Sequence, residues 1–203
     1  MYDDSSPQLV LFDGATGAGK TSLLTYLREA YTSRVFVGSK LTTRRRRITD
    51  NAWEMRFVER IPDEYLNDSF VSVGHQYAVD RNQLLTTISR HLVYAISCVD
   101  RWLIEDLCSH FHTVTIYVYR SWSAVEMEAF LAARAASDST DTALRRDEIK
   151  SVMAHYLPRI TLYNHVILNI GSMADLNEQL AQILQSYRIY GDGAGDQLRL
   201  VNG

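Results

Sequence analysis

Cysteine is nearly missing from this 203-residue chain. Its two copies, Cys98 and Cys108, are too few for a disulfide-built secreted scaffold, and their spacing ligates no metal. Both are expected as small core residues of a reduced, cytoplasmic protein. Lysine is rarer than the 21 basic residues suggest, occurring only at Lys20, Lys40 and Lys150. Strong charge of one sign is also missing: the formal net charge is −3. A general nucleic-acid binder would be strongly basic, so no nucleic-acid partner is expected. No apolar run approaches membrane-spanning length. The leading MYDDSSPQ is acidic and polar where a signal peptide would be basic and then apolar. No membrane partner is expected, and no internal repeat is found.

What is present is 46% apolar composition, enough for a full core in one compact domain with an inserted lobe. Short apolar runs at 8–13, 35–38, 92–97, 113–119 and 165–169 read as buried strands. Between them, 21–30, 99–111, 123–136, 145–157 and 174–187 carry helix-spaced apolar residues. That alternation predicts an α/β fold with a mainly parallel sheet flanked by helices, and ligands at the carboxyl ends of the strands. Residues 41–84 break the rhythm with charge, Thr, Tyr and short alternating runs, predicting a small inserted lobe with its own strands. The core is then 8–40 and 85–190. A small, polar stretch at 135–143 predicts a mobile loop in a helical lid, about 134–146, and 191–203 reads as a loose tail.

The strongest motif is GATGAGKT, a complete Walker A sequence running from Gly14 through Ala15, Thr16, Gly17, Ala18, Gly19 and Lys20 to Thr21, with Ser22 following. Its glycines let backbone N–H groups curl round phosphate oxygens. Lys20 reaches the β and γ phosphates, and the Thr21 hydroxyl is placed to ligate Mg²⁺. The helix that follows adds the positive end of its dipole. A glycine-rich turn with no ligand is the alternative, but chance rarely supplies the strand before and the amphipathic helix after.

The second motif is Thr42-Thr43 followed by Arg44 to Arg47. A solvated charge run is the bland reading. Localisation signals and nucleic-acid arms of this kind usually sit in disordered flanks rather than inside a domain. Guanidinium forks bind phosphate bidentately, so two of these arginines facing the glycine-rich loop would hold a phosphorylated acceptor. A surface position is the commoner fate of a lysine such as Lys40; in an acceptor pocket it would favour a second phosphate or a sugar phosphate. Asp80 is expected to cap the helix starting near Arg81, and His75 to be structural or exposed.

GATGAGKT, LTTRRRR, Phe57-Val58, the HQYAV around Tyr77 and the closing VILN together resemble the nucleoside-monophosphate kinase group typified by guanylate kinase, from about residue 8 to 187. The resemblance implies a P-loop NTPase fold, ATP and Mg²⁺, and an acceptor phosphate held by Arg44, Arg47 and Tyr77. A second phosphate-gripping tyrosine is replaced by Met55. It also implies catalytic lid arginines, matched by Arg134 and by Arg145 or Arg146; Phe130 replaces another. The guanine-recognising positions depart: Lys40, Ser72 and Val79 stand there, and Ser97 replaces an acidic residue closing the central strand. These departures resemble ribose 1,5-bisphosphate phosphokinases, although Ala78 replaces a usual glycine.

The expected function is therefore ATP-dependent phosphate transfer to a small phosphorylated acceptor, either ribose 1,5-bisphosphate or a nucleoside monophosphate. A monomer or homodimer is expected. A catalytically weak guanylate-kinase-like binding module is the alternative of another class, and a nucleotide-dependent switch a further one.

Overall fold

A computed structural model describes residues 7–48, 50–137 and 142–192. Strand β1 (Leu9–Asp13) has all five side chains buried, and the alternation of a strand sends them to two faces. Leu9 and Leu11 join one core, with Tyr94, Leu103, Ile104 and Leu107. Val10 and Phe12 join the other, with Leu23, Leu24, Leu27, Leu180 and Leu184. Burial on both sides is why this strand reads as an unbroken apolar run.

The main sheet adds β2 (Val35–Val37), β7 (Val93–Ser97), β8 (Thr113–Tyr119) and β9 (His165–Leu168) in the order β2-β7-β1-β8-β9, and every pairing is parallel. Helices α1 (Lys20–Ala30) and α6 (Met173–Ser186) contribute to one core, α2 (Arg81–Ser89) and α3 (Arg101–His110) to the other. This is the α/β architecture expected, with the parallel sheet flanked by helices. Because β1 is central and its neighbours β7 and β8 lie on opposite sides, the loop leaving it emerges where the strand order switches direction.

A second sheet, β4-β3-β6-β5, comes from β3 (Lys40–Thr42), β4 (Met55–Phe57), β5 (Ser69–Ser72) and β6 (His75–Val79). Strand β3 pairs parallel with β4 and antiparallel with β6. Leu41, Ile61 and Ala78 form its small core, while Phe70 and Val79 join the core beneath the main sheet. Asp80 caps α2, accepting from the Gln83 backbone N–H at 2.9 Å, as its position before Arg81 predicts.

Three expectations need adjustment. Helix α4 (Ala124–Ser137) runs through the alanine-rich start of the expected loop, and α5 (Thr142–Arg159) begins inside its end. Alanine's helix propensity outweighs the small, polar look of that stretch; the remainder, 138–141, lies outside the described residues. Cys98 is core, but Cys108 is exposed on α3. The tail begins tied down, since the Asp192 carboxylate accepts from the Thr32 hydroxyl at 2.5 Å and the Ser33 N–H at 3.2 Å. The rest of it, 193–203, lies outside the described residues.

Candidate functional site

The loop after β1 is shaped by backbone that only glycine tolerates. Gly14 has φ +137°, and a Cβ there would run into the Val118 carbonyl. At Gly17, φ +77°, a Cβ would meet the Phe130 ring at 2.7 Å and Trp122 at 3.0 Å. Ala15 and Ala18 turn their methyls into hydrophobic clusters. Helix α1 then starts from Gly19 with no side-chain cap, leaving its first N–H groups and its dipole available to an anion.

Lys20 folds back over this loop. Its ammonium donates to the carbonyl of Gly14 and, at 2.8 Å, to that of Ala15. Burial lowers its pKa, opposed by the nearby carboxylates of Asp13, Glu148 and Glu54 and reinforced by the Lys40 charge. The Thr21 hydroxyl lies 3.1 and 3.2 Å from the two carboxylate oxygens of Glu54.

Across the cleft, Arg44 is 5% exposed and grips Asp50 with two parallel bonds, Nη1 to Oδ2 and Nη2 to Oδ1, both 2.7 Å. Asp50 also accepts from the Arg47 N–H at 2.6 Å. Burial opposes both charges of the pair, yet the contact overrides it: the Arg44 pKa is raised and that of Asp50 lowered. The Arg44 guanidinium lies over the Phe57 ring, 5.3 Å from its centre. Tyr77 stacks on Phe70 with centroids 5.5 Å apart.

Lys40 is 7% exposed and donates to the Ser97 hydroxyl at 2.6 Å, so two of the residues that depart from the guanylate-kinase pattern contact each other. Burial lowers the Lys40 pKa, against the pull of Glu54.

Helices α4 and α5 reach both halves. Arg145, 3% exposed, donates to the Thr16 hydroxyl at 3.3 Å, whereas Arg146 pairs with Glu128 at 2.8 Å between α4 and α5. Of the two candidates, Arg145 is the one at the loop. Arg134 lies over the Phe130 ring at 5.4 Å. The Ser72 hydroxyl donates to Glu148 Oε1 at 2.6 Å, a contact between β5 and α5.

One cavity of about 360 Å³ is lined by Thr16, Gly17, Gly19, Lys20, Thr21 and Ser22 from the loop and the start of α1, by Lys40, Arg44, Arg47 and Tyr77 from the second sheet and its loops, and by Arg134 of α4 and Arg145 of α5. Gly14, Ala15 and Ala18 are not part of that lining. His75 and Ser97 also line it. Sequence reasoning missed Asp50, Glu54 and Glu148, which line the same cavity, and Arg120, whose guanidinium lies 4.0 Å from the Trp122 ring centre and 3.4 Å from the Gly17 carbonyl. The available signal was thin: isolated carboxylates in and beside a basic segment, and an arginine closing β8.

No protein-family model matches the sequence, and no curated protein matches it in sequence. Among solved structures, the chain is similar to guanylate kinase from Anaplasma phagocytophilum, at 16% identity and a TM-score of 0.62, over 98% of this chain and 96% of that one. The fold, a P-loop α/β fold like that of guanylate kinase, is therefore shared from end to end.

Proposed function

We propose that the chain is an ATP-dependent phosphotransferase acting on the phosphate of a small phosphorylated acceptor. The observation that carries this is a single cavity with a Walker A loop at one end and Arg44, Arg47 and Tyr77 at the other. Two anion-holding groups facing each other suit transfer between phosphates better than hydrolysis or a nucleotide switch.

An acceptor phosphate oxygen forms the new bond to the γ-phosphorus as the bond to the β,γ-bridging oxygen breaks. A phosphate monoester is largely ionised at pH 7, so no general base is required. What the residues must do is position two anions and offset their repulsion. Lys20 lies over the loop that would hold the donor phosphates, and Arg44, Arg47 and Tyr77 would hold the acceptor. Arg145 and Arg134 would bring positive charge from the lid, whose closure excludes water. Mg²⁺ fits the hard oxygens at Thr21 and Glu54 and would neutralise donor phosphate charge there.

For the acceptor, the best reading is ribose 1,5-bisphosphate, giving phosphoribosyl diphosphate. Buried Lys40 against Ser97 offers a cation where a base edge would want neutral or acidic partners. A nucleoside monophosphate is the second reading, favoured by the likeness to a guanylate kinase. Purified protein with Mg²⁺-ATP, offered ribose 1,5-bisphosphate and each nucleoside monophosphate and followed by ADP release, separates them. Lys20→Ala should abolish transfer, and Arg44→Ala should raise acceptor KM far more than ATP KM. Saturable peptide binding with no ATP affinity would instead establish a binding module.

A further inference from the structure

We propose that Glu54, a residue of the inserted lobe, supplies the carboxylate of the divalent-cation site at Thr21. The inference rests on reading the loop as a Mg²⁺-nucleotide site, and assigns to the lobe a part that the closing residue of β7, the uncharged Ser97, cannot play.

Glu54 is 7% exposed and lines the cavity. Its two carboxylate oxygens share one hydroxyl proton, that of Thr21, at 3.1 and 3.2 Å. Among the described residues they accept from no other donor. A buried carboxylate whose hydrogen bonds come from a single neutral donor has lone pairs left for a cation. The two nearby ammonium groups feel its charge but are hydrogen-bonded elsewhere: Lys20 to the carbonyls of Gly14 and Ala15, and Lys40 to Ser97. Its backbone is fixed, with the Glu54 carbonyl accepting from the Lys40 N–H at 2.9 Å and its N–H donating to the Asn51 carbonyl at 3.1 Å.

A hydroxyl that gives its proton to a carboxylate keeps its lone pairs for a cation, and the carboxylate beside it adds charge. Oxygen donors of this kind suit Mg²⁺, and a hydrogen-bonded carboxylate next to a metal ligand fixes that ligand's orientation. Because Glu54 is the residue before β4, the metal site is then built from both the core and the lobe. Metal affinity becomes linked to where the lobe stands.

The competing role is plain charge balance for Lys20 and Lys40. ADP affinity measured by calorimetry with Mg²⁺ and with EDTA separates the two. In Glu54→Gln the gain in affinity conferred by Mg²⁺ should fall about 10- to 100-fold, with metal-free ADP bound as well as before or better. Thr21→Val should lose the same gain, and the double variant no more than Thr21→Val alone. Glu54→Asp, which keeps the charge, should recover part of it, and electron paramagnetic resonance of Mn²⁺ with ADP should report the same order of affinities. A Glu54→Gln protein that melts like wild type, keeps the full Mg²⁺ gain and binds metal-free ADP more tightly overturns the inference and leaves the kinase reading standing. Wild-type protein that binds no ADP in either condition overturns both.

Discussion

Removing Asp50 should unfold the acceptor end of the cleft, and the size of the effect follows from its geometry. The Arg44 side chain is 4% exposed and its carboxylate partner 9%, and two 2.7 Å bonds join them in a fork. Asp50→Ala leaves a buried guanidinium without a counter-charge, a change that costs about 3–5 kcal/mol. That is a large part of the roughly 5–15 kcal/mol by which domains are stable. At about 2–4 °C per kcal/mol for a chain of this size, Tm should fall by roughly 6–20 °C. Urea unfolding of wild type and Asp50→Ala measures it directly. If Arg44 is the phosphate grip, inorganic phosphate should replace the missing carboxylate and stabilise the variant by about 2.7 kcal/mol at one hundred times its dissociation constant, and wild type by less. The pH dependence has a fixed sign. The folded-state pKa of Asp50 is lowered, so its contribution is complete above the unfolded value near 4 and is lost as pH falls through the folded value. Wild type should therefore lose stability below pH 4 more steeply than Asp50→Asn. A loss under about 1 kcal/mol, the range of a solvent-screened pair, would refute the buried-pair reasoning. Equal phosphate stabilisation of both proteins would refute the role of Arg44 as an anion grip.

Two further outcomes are expected. Arg145→Ala should lower turnover by about 10²-fold or more, the scale of losing one donor aimed at transition-state charge. Arg146→Ala, whose lost partner is the exposed Glu128, should leave turnover intact and barely move the melting temperature, since solvent screens the pair; steady-state kinetics and melting of the pair check this, and equal kinetic losses would contradict the assignment. With a thiol reagent at neutral pH, Cys108 should react in the native protein. Cys98 should wait for unfolding, since it is 1% exposed and burial pushes its pKa up to about 12; native-state labelling of both, read by mass, would count against the core placement.

The main sheet was legible because its three central strands are buried on both faces. Residues 9–13, 93–97 and 113–119 therefore print as apolar runs, and the helices between them carry a 3.6-residue stripe. The lobe was legible only as an interruption. Its strands are three to five residues long, and no periodicity in so few positions can reveal that Lys40 pairs with Met55 on one side and Val79 on the other. The loop from Gly14 to Thr21 was legible because one contiguous stretch of backbone makes it. Glu54 and Glu148 were not, because each meets its partner across a long span of chain, Thr21 for the first and Ser72 for the second. A carboxylate whose partner is distant in sequence leaves no local pattern.

That same pairing governs how the cleft would bind. Lys20 is bonded to carbonyls of its own loop, Lys40 to Ser97, Arg44 to Asp50, and the Thr21 hydroxyl to Glu54. Each of these four groups already has a partner inside the chain, so a phosphate entering the cleft would exchange one contact for another. The gain at each is a difference between two charge-assisted or hydroxyl bonds, not the full strength of the new one. Affinity therefore depends most where the internal partner is weakest. By that measure the Lys20 carbonyl contacts, made to neutral oxygens, should yield to a donor phosphate more readily than the carboxylate fork on Arg44 yields to an acceptor. Donor binding would then come first and acceptor binding would be the more demanding step. An apparent affinity for the acceptor well below that for the nucleotide is what this ordering requires.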